Sequence, residues 1–566
     1  MRKVVIPLLA LILCLSCALN TLAQSDKVLR NPQVSVGAFA VTPPLRDMVK
    51  NRPSELQFGL HQSPPVLYPK KNLALKSRSI DPNYRDAAAQ TEDAPATIPI
   101  KQLDWLGVGT GFFGYSVPDA PTDANLSIGD TQIVQWVNTQ LAVFDLQGNS
   151  ILINGQNYVD GSVLFQGLRN CSLSNSGNIF AQWDKIAHRW VMYQPRLSIP
   201  YYDCFAISQT NDATGPYFTY EFPTYNTNTD FPDSAKLGVW PNGYYVSHND
   251  FPNLEYYAGV MPCAYDRVKM LAGNPYPQGV CFLDDSNGTL FDDSLVPPDV
   301  DDADSPPSGI DPIFMGSIDN GQNGIDSNVY YYPFHFDPKN VQNSTFGCIQ
   351  GSCKIPVTQY QVACQNLQTG TCTATQPTGV LNNMGDRLMY RLAYRILPGP
   401  TPSKDLQHDN RLQEWLVSHT VFNNGRSAVR WYDFRSPIKT TTPTASQQGT
   451  YAPDSANRFM SSLARDSKGN IAMSYTVSSS SVAPTIGFTG RAAGDQLGTM
   501  GPETILIPGV GSQLDTANQW GNYYDMAVSN DGCTFVTTGE YYTSNSSFNW
   551  STRIGMLKFA NCTPSK

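Results

Sequence analysis

The stretch QWGNYYDMAVSNDGCTFVTTGEYYTSNSSFNWSTRIGMLKF, residues Gln519–Phe559, decides the fold class of this chain. It contains three short segments in which apolar and polar residues alternate, a period that is typical of half-buried β-strands. The predicted strands are Tyr524–Ser529, Thr534–Glu540 and Thr552–Phe559, and the predicted turns are Asn530–Gly532 and Thr543–Asn549. Because Asn, Asp and Gly favour tight turns, the stretch predicts an antiparallel β-meander.

Comparable strand pairs recur through residues 101–566. Examples are Gln132–Asp145, Ile179–Tyr193, Leu237–Ser247 and the pair Glu414–Phe422 with Ala428–Arg435. A repeat of roughly 45–65 residues predicts an all-β chain folded as a β-propeller of about seven blades, within a range of about six to eight. Radial closure would also leave only short, protected sheet edges. The alternative is an arrangement of two β-sandwich domains.

The composition favours an extracellular all-β protein. Only 15% of the 566 residues are charged, whereas Gly (43), Pro (42) and Tyr (29) are abundant. Few charges together with many turn formers and aromatic residues are typical of that class. The net charge of −9 argues against nucleic acid as a partner. Beyond the N-terminus, the sequence has no apolar run of the length that a membrane span needs.

Residues 1–23 have the pattern of a secretory signal peptide. Arg2 and Lys3 precede the apolar run Val4–Leu19, and Thr21–Ala23 resembles a cleavage site, so we expect cleavage before Gln24. A lipoprotein anchored at Cys17 is the alternative. The signal predicts a secreted protein, located outside the cell or in the periplasm.

Residues 24–100 differ from the rest of the chain. This segment is rich in Pro, carries more Lys and Arg than Asp and Glu, and lacks long periodic runs. We therefore predict a basic leader that is partly disordered or wrapped over the following domain. The predicted organisation is a signal peptide at 1–23, a leader at 24–100 and a propeller domain at 101–566.

Ten of the 12 cysteines remain after signal removal, and an even number in a secreted chain predicts disulfides. Pairing cysteines that are neighbours in sequence gives a specific expectation, although the sequence leaves the connectivity open. The expected pairs are Cys171–Cys204, Cys263–Cys281, Cys348–Cys353, Cys364–Cys372 and Cys533–Cys562.

Several segments after residue 101 resemble a group of secreted bacterial proteins. The matching segments are Asp123–Asn125, Gln135–Asn138, Arg189–Val191, Lys236–Tyr245, Asp386–Arg395, Val429–Tyr432, Tyr451–Ser455, Trp520–Tyr523, Cys533–Phe535 and Gly539–Tyr542. The group consists mostly of uncharacterised proteins of sialidase-like, BNR-type β-propeller character. The resemblance implies a propeller fold and a secreted location, and it implies no particular activity.

Two positions depart from the pattern of that group. Asn522 and Asn178 stand where the group usually has Asp. Each change replaces a carboxylate with an amide. Both departures put in doubt any catalytic or metal-binding role at these two positions.

Sialidase chemistry needs arginines that bind a carboxylate and a Tyr–Glu pair that acts as nucleophile and base. The candidate catalytic residues of this type are Glu540, Tyr541, Arg387, Arg430 and Arg491. Ser529–Phe535 approximates an Asp-box repeat but is one residue short. The alternative, which we favour at this point, is that these residues are structural, since Arg and Tyr also pack between blades.

Calcium is the cofactor that the sequence suggests, because clustered Asp and Asn side chains suit a hard cation. The candidate ligands are Asp123, Asn125, Asp284 and Asp285, the last two at the start of an acidic loop. The loop does not meet the EF-hand spacing, so a solvated acidic loop is the alternative. No other cofactor is expected.

Aromatic residues on a propeller face can stack on sugar rings. The candidates are Trp240, Tyr244, Tyr245, Tyr256, Tyr257 and Tyr330–Tyr332, although alternation along a strand must bury about half of them. His248 follows a predicted strand end, where it is either an acid–base residue or, more commonly, a hydrogen-bonded loop residue.

Three functions are consistent with these features. The first is a monomeric module that binds an extracellular ligand, such as a glycan or glycoprotein. The second is a glycoside hydrolase of sialidase type, and the third is a non-catalytic surface or matrix protein. The sequence leaves open whether the protein is an enzyme.

Overall fold

The computed structural model describes residues 27–48, 81–116, 121–175, 177–284, 294–302, 304–317, 324–348, 353–364, 372–399, 409–440, 442–515 and 518–564. The predicted signal peptide lies outside these residues. Almost all regular structure in the described part is β, which confirms the all-β prediction. One short α-helix is present there, α1 (Arg267–Leu271). The 3-10 turns are Leu45–Asp47, Gly161–Phe165, Cys171–Leu173 and Val341–Asn343.

The first half of the described chain contains 18 strands. They are β1 (Lys27–Leu29), β2 (Gln33–Val36), β3 (Ala38–Val41), β4 (Ala89–Gln90), β5 (Ile100–Leu106), β6 (Asn125–Ile128), β7 (Gln132–Val137), β8 (Gln140–Asp145), β9 (Ser150–Ile151), β10 (Val159–Asp160), β11 (Phe180–Asp184), β12 (Arg189–Arg196), β13 (Tyr202–Ser208), β14 (Tyr217–Pro223), β15 (Asp230–Trp240), β16 (Gly243–Pro252), β17 (Gly259–Asp266) and β18 (Gln278–Cys281).

The second half of the described chain contains the remaining strands up to β36. They are β19 (Pro298–Val300), β20 (Ile313–Gly316), β21 (Ile325–His335), β22 (Thr345–Cys348), β23 (Lys354–Val362), β24 (Thr373–Gln376), β25 (Gly379–Asn382), β26 (Leu392–Leu397), β27 (Leu412–Asn423), β28 (Arg426–Pro437), β29 (Thr444–Tyr451), β30 (Asn457–Arg465), β31 (Ile471–Ser478), β32 (Thr485–Arg491), β33 (Thr504–Ile507), β34 (Asp525–Val528), β35 (Thr534–Tyr542) and β36 (Trp550–Lys558).

Most of these strands form successive antiparallel meanders. Five such sheets are built on β6–β10, β11–β14, β15–β18, β30–β33 and β34–β36. A larger sheet joins β20–β22 to β26–β29 through β23, which pairs with both β21 and β27. The separate hairpin β24–β25 completes the set.

The last sheet is the meander that the sequence predicts. Strands β34, β35 and β36 lie within two residues of their predicted bounds. Asp531 holds the turn between the first two, since its Oδ1 accepts the main-chain N–H groups of Cys533 and Thr534, each at 2.8 Å. The fourth strand of this sheet is β5, which pairs antiparallel with β36. The first strand of the β-rich region therefore completes the final sheet.

The described part of the leader supplies strands to the outer edges of other sheets. Strand β3 pairs with β14, β2 with β18 and β1 with β22, all antiparallel. Strand β4 pairs in parallel with β29. Residues 27–41 thus cover edges that would otherwise present unpaired main-chain groups.

Seven non-glycine residues with left-handed backbone recur at or before the first strand of successive sheets. They are Asp123, Asn178, Ser234, Ser294, Met384, Met460 and Asn522, with φ between 47° and 61°. Ser234 and Met460 lie in β-bulges of β15 and β30. Such a conformation costs on the order of 1–3 kcal/mol and is frequent at functional sites. The recurrence shows one local geometry repeated along the chain.

All five expected disulfides are confirmed. The pairs are Cys171–Cys204, Cys263–Cys281, Cys348–Cys353, Cys364–Cys372 and Cys533–Cys562. The last pair ties the chain after β36 to the start of β35. Among the described residues, no helix has the length and apolarity required to cross a membrane.

Candidate functional site

Asp123 joins three sheets at the entry to their first strands. Its side chain is only 1% exposed. Its Oδ2 accepts the main-chain N–H of Asn178 at 2.8 Å, and its Oδ1 accepts the side-chain amide of Asn522 at 2.6 Å. These three residues precede β6, β11 and β34, and all three have left-handed backbone. The repeated local geometry therefore brings one carboxylate and two asparagines together.

Lys236 lies beside this group on β15. The bulge between Asp233 and Lys236 places the lysine opposite Ser247. Its side chain is 4% exposed, and Nζ donates to the main-chain oxygens of Ser234 at 3.3 Å and Ala235 at 3.1 Å. The ammonium group also lies 5.2 Å from the ring centre of Tyr523, a cation–π distance.

Arg387 approaches the same bulge from the segment before β26. Its Nη1 donates to Ser234 Oγ at 3.3 Å. Its Nε and Nη2 donate to the two oxygens of Asp386 at 2.8 and 2.9 Å, a bidentate ion pair. Asp386 in turn has a carboxylate oxygen within 4.8 Å of the sulfurs of Cys364 and Cys372. The disulfide between these cysteines therefore supports the segment that presents Arg387.

Glu540 completes the group from β35. Its side chain is fully buried, and Oε2 accepts the hydroxyl of Thr122 and the main-chain N–H of Gly521, both at 3.0 Å. Among the described residues, Oε1 has no hydrogen-bond partner. Asp123, Lys236, Asp386, Arg387 and Glu540 are called the strand-entry site below.

Three groups of the strand-entry site titrate near neutral pH. Burial raises the pKa of Asp123 to about 6, against the hydrogen bonds from Asn178 and Asn522. Burial, and then the charge of Arg387, lowers the pKa of Lys236 to about 7. Burial raises the pKa of Glu540 to about 8, and the charge of Asp123 acts in the same direction. Perturbed groups of this kind are typical of sites that bind or transfer protons.

These values define what the site can do chemically. At pH 7 the carboxyl group of Glu540 is mostly protonated and can donate a proton, whereas Asp123 is mostly ionised and can accept one. Asn178 and Asn522 are partly exposed, whereas Asp123 and Glu540 are buried. A polar ligand that reaches these two amides would therefore lie next to both a donor and an acceptor of protons.

A second group of buried charges lies further along the first strands. Lys185 Nζ contacts Asp301 Oδ1 at 2.7 Å. Arg391 contacts Asp299 at 3.1 Å and Asp301 at 2.8 Å, and Gln182 donates to Asp299 at 2.6 Å. Lys185, Asp299, Asp301 and Arg391 are called the inner ion network below. Their side chains are almost completely buried, so the network holds sheets together.

Two members of the predicted catalytic set, Arg387 and Glu540, lie in the strand-entry site. Tyr541 is the next residue of β35, so its side chain points to the other face of the sheet. There, burial raises its pKa and the charge of Arg553 opposes that rise. The structure therefore does not bring Glu540 and Tyr541 together as a Tyr–Glu pair.

The other two predicted arginines lie elsewhere in structural contacts. Arg430 is fully buried and paired with Asp86 of the leader, and it also donates to Thr450 Oγ1. Arg491 donates from Nη2 to the main-chain oxygen of Asp495 at 2.6 Å. These contacts do not join Arg387, Arg430 and Arg491 into one carboxylate-binding cluster.

The described members of the predicted metal-ligand set make different contacts in the structure. Asn125 donates to Asp525 Oδ2 at 2.7 Å and accepts the N–H of Ala181 at 2.6 Å, so its amide links three sheets. Both oxygens of Asp123 accept amide hydrogen bonds. Asp284 is fully buried after β18, and Asp285 lies outside the described residues. Calcium binding stays a prediction.

Two other groups of the described residues have metal-ligand composition. They are Asp203 with His248 and Cys263, and Asp386 with Cys364 and Cys372. All three cysteines are in disulfides, so their sulfurs are not available as thiolates. Neither group is a metal site.

The prediction of an exposed aromatic platform is wrong for all but one of the candidate residues. Trp240, Tyr244, Tyr245, Tyr257 and Tyr330–Tyr332 are buried, because they pack between sheets, and Tyr256 is 38% exposed. His248 is buried in β16, where Nε2 lies 3.1 Å from Asp203. It is a hydrogen-bonded residue, as in the alternative, although it lies in a strand.

Sequence reasoning missed Lys236 and Asp386. Both lie in segments that carry the family resemblance, yet neither was assigned a role. The available signal is a charged residue inside a strand whose neighbours are apolar, as in AKLGVW at residues 235–240. That signal does not tell which buried charges will meet.

No protein-family model matches this chain, and no curated protein matches it. Among solved structures, it is similar to an endo-arabinase from Bacteroides thetaiotaomicron, with 13% identity over 59% of this chain and 95% of that one and a TM-score of 0.26. A protein of unknown function from Dyadobacter fermentans matches with 9% identity over 82% of this chain and 100% of that one and a TM-score of 0.21.

A sialidase from Streptococcus pneumoniae matches with 8% identity over 88% of this chain and 100% of that one and a TM-score of 0.23. TM-scores this low assign neither a fold nor a function.

Proposed function

We propose that this chain is a secreted β-propeller of about seven blades that binds an extracellular carbohydrate, free or on a glycoprotein, at the strand-entry site. The successive meanders and the seven left-handed residues before their first strands support this fold. So does the pairing of β5 with β36, which joins the beginning of the domain to its end. The first strands also contact one another in series, β27 with β30, β30 with β34, and β34 with β6.

The observation that carries the ligand class is the convergence of Asp123, Asn178 and Asn522. Carboxylate and amide groups accept and donate the paired hydrogen bonds that neighbouring sugar hydroxyls require. Asn178 and Asn522 are partly exposed, whereas Lys236 and Arg387 are buried. A few polar groups meeting at the mouth of a buried site are typical of small-ligand recognition. The five disulfides support an extracellular location.

The test is binding of residues 24–566 to a panel of neutral and acidic glycans, measured by calorimetry. Asp123→Asn should weaken binding to the best glycan by roughly tenfold or more, since it alters the central acceptor. Asp145→Asn is the matched control, because Asp145 also accepts an asparagine amide, that of Asn149 at 2.8 Å, on an exposed turn. Equal binding by both variants, or no binding to any glycan, would contradict the proposal.

A glycoside hydrolase is the second candidate, and the separated pKa values of Asp123 and Glu540 favour it. A neutral carboxyl group near an ionised one is the arrangement that hydrolysis of a glycosidic bond uses. Sugar release by the purified protein should then disappear in Glu540→Gln while glycan binding remains. Binding without release would leave the protein a binding module. If the protein neither binds nor cleaves any glycan, that result would favour the third function, a surface or matrix protein.

A further inference from the structure

Asp250 is a buried carboxyl group near the end of β16, and its side chain is 0% exposed. Of the residues that the structure describes, none donates a hydrogen bond to its Oδ1 or Oδ2. The charged group that acts on it is another acid, Asp230. Burial, and then that negative charge, raises the pKa of Asp250 to about 8. Buried polar atoms without partners are rare in folded proteins, so these two oxygens point to a bound ion or an ordered water.

Asp230 reaches the same side of the sheet from the start of β15. Pro232 is the cross-strand partner of Asp250, and Asp230 lies two residues before Pro232, so both acids point to one face. The carboxylate of Asp230 accepts the amide of Asn226 at 2.7 Å and the hydroxyl of Thr229 at 2.8 Å. These local bonds orient both oxygens, and each oxygen keeps a lone pair for a further partner.

Asp284 approaches Asp250 from the opposite side, across β17. The cross-strand partner of Asp250 on β17 is Gly259. A Cβ on Gly259 would lie 2.1 Å from the main-chain oxygen of Asp284 and 2.9 Å from its Cβ. The N–H of Asp284 donates to the main-chain oxygen of Val260 at 3.0 Å, which holds Asp284 in that position. Because Cβ atoms of cross-strand partners lie about 4.5–5.5 Å apart, one ion can reach both Asp250 and Asp284.

We propose that Asp230, Asp250 and Asp284 bind one calcium ion at this end of the sheet. Three carboxyl groups and the main-chain oxygen of Asp284 are the oxygen ligands that a hard divalent cation prefers. The ion would offset the repulsion between Asp230 and Asp250 and would give partners to both oxygens of Asp250. These residues do not belong to the strand-entry site, so the inference is independent of carbohydrate binding. Of the calcium ligands that the sequence suggests, this site keeps Asp284 alone.

The ion has a short path from solvent. Residues 253–256 follow β16, begin three positions after Asp250 and are exposed. The turn that they form folds back onto the site, since the N–H of Ala258 donates to the main-chain oxygen of Asp250 at 2.9 Å. Tyr257 is buried in the same turn, with its ring centre 5.7 Å from that of Phe251. The site is therefore close to solvent and has a tyrosine beside it.

The first experiment uses residues 24–566, treated with chelator and titrated with calcium in a calorimeter, without any glycan. The protein should bind one calcium ion per chain, and calcium should displace terbium whose luminescence is sensitised by excitation of tyrosine, with Tyr257 as the nearby donor. Asp250→Asn should weaken calcium binding at least about tenfold, because affinity follows the number of charged ligands. Absence of calcium binding in the wild type would overturn the proposal.

The matched control is Asp145→Asn, which removes an exposed carboxylate that also accepts an asparagine amide and should bind calcium as the wild type does. Gly259→Ala keeps all three acids and adds a methyl group where Asp284 lies, so it should weaken binding as well. Loss of binding in Asp123→Asn, with binding retained in Asp250→Asn, would overturn the proposal.

Hydrogen exchange of the wild type locates the ion even if a variant does not fold. Calcium should slow the exchange of main-chain amides in residues 226–233, 248–260 and 281–284, because a bound ion suppresses local opening. Amides around Asp145 should exchange at the same rate with calcium and with chelator. Protection centred on residues 123–125, or equal exchange in all three segments, would overturn the proposal.

Discussion

The inner ion network and the strand-entry site both bury charged residues from several sheets, yet the partners of those charged residues differ. In the network, Lys185 and Arg391 face Asp299 and Asp301, so two positive charges meet two negative ones. In the strand-entry site, Lys236 is bound to main-chain oxygens, and within the described part of the chain Glu540 Oε1 has no hydrogen-bond partner. Equal burial therefore goes with shared ion pairs in the inner ion network and with main-chain hydrogen bonds at Lys236 in the strand-entry site.

The pKa values express the same difference. Burial alone would raise the pKa of Asp301, but Arg391 and Lys185 outweigh it and hold that pKa below its ordinary value. Asp299 shares Arg391 with Asp301, and burial raises its pKa to about 7. In the strand-entry site, burial dominates at Asp123, Lys236 and Glu540 alike. The number of opposite charges in contact decides which outcome a buried group has.

Methionine in place of each buried lysine gives the largest expected contrast. Lys185→Met leaves Asp301 with less compensation, so it should lower the free energy of unfolding by about 3–5 kcal/mol. Lys236→Met removes a poorly solvated charge and should cost less than about 1 kcal/mol at pH 7. Urea unfolding monitored by fluorescence measures both. Equal losses in the free energy of unfolding would show that the two lysines have equivalent surroundings, which would contradict the difference between the two sites.

The pH dependence of stability should next distinguish Glu540 from Lys236. Glu540 has a pKa raised from 4.5 to about 8, so the folded state binds its proton more tightly than the unfolded state. Its contribution is therefore present at low pH and is lost as pH rises from about 4.5 through about 8. Lys236 has a lowered pKa, so its contribution grows as pH rises from about 7 to about 10.5.

Glu540→Gln should remove the decrease in stability that Glu540 causes as pH rises, a change of roughly a few kcal/mol in the free energy of unfolding. Melting temperatures of wild type and variant from pH 4.5 to 8 measure it. The control is Lys236→Met, which should leave the slope below pH 7 unchanged and flatten the one above it. If the melting temperature of the wild type rose between pH 5 and pH 8, and Glu540→Gln removed that rise, the raised pKa assigned to Glu540 would be wrong.

Removing one amide from Asp123 is the next smaller change. Asn522→Ala deletes a 2.6 Å hydrogen bond to a buried carboxylate and should cost about 1–2 kcal/mol. It should also raise the pKa of Asp123 further, since that hydrogen bond lowers it. Asn149→Ala deletes a similar bond to Asp145 on an exposed turn and should cost less. Chemical unfolding of both variants tests this order.

Calcium is expected to have the smallest effect. If Asp123, Asn125, Asp284 and Asp285 hold calcium with the affinity of extracellular modules, about 1 mM calcium should add about 1 kcal/mol to the free energy of unfolding. Thermal melts with calcium and with chelator measure this difference. Asp284→Asn should abolish it, and Asp145→Asn should not. Identical melts with and without calcium would contradict the prediction.

Local patterns predicted the elements whose partners are near in sequence. The strands β34, β35 and β36 and the turn at Asp531 follow from spacing and turn residues. The disulfides also join cysteines that are neighbours in sequence, and the expected pairs are confirmed. Interactions of this range depend on few residues, so short segments carry the necessary information.

Contacts between distant segments could not be predicted in this way. The pairing of β5 with β36 and of the leader strands with β14, β18 and β22 depends on which sheet edges remain free after folding. The sequence also placed Glu540 and Tyr541 in one candidate site, whereas alternation along β35 turns them to opposite faces. Arg430 is buried against Asp86, a partner more than 300 residues away.

The sequence by itself determined the all-β class and the final meander of this protein, because period-two patterns and turn residues act over short distances. Only the tertiary structure decided that Asp123, Lys236 and Glu540 meet, since they are far apart in the chain and share no sequence pattern. Burial then set their pKa values near neutrality, and burial is a property of the assembled sheets.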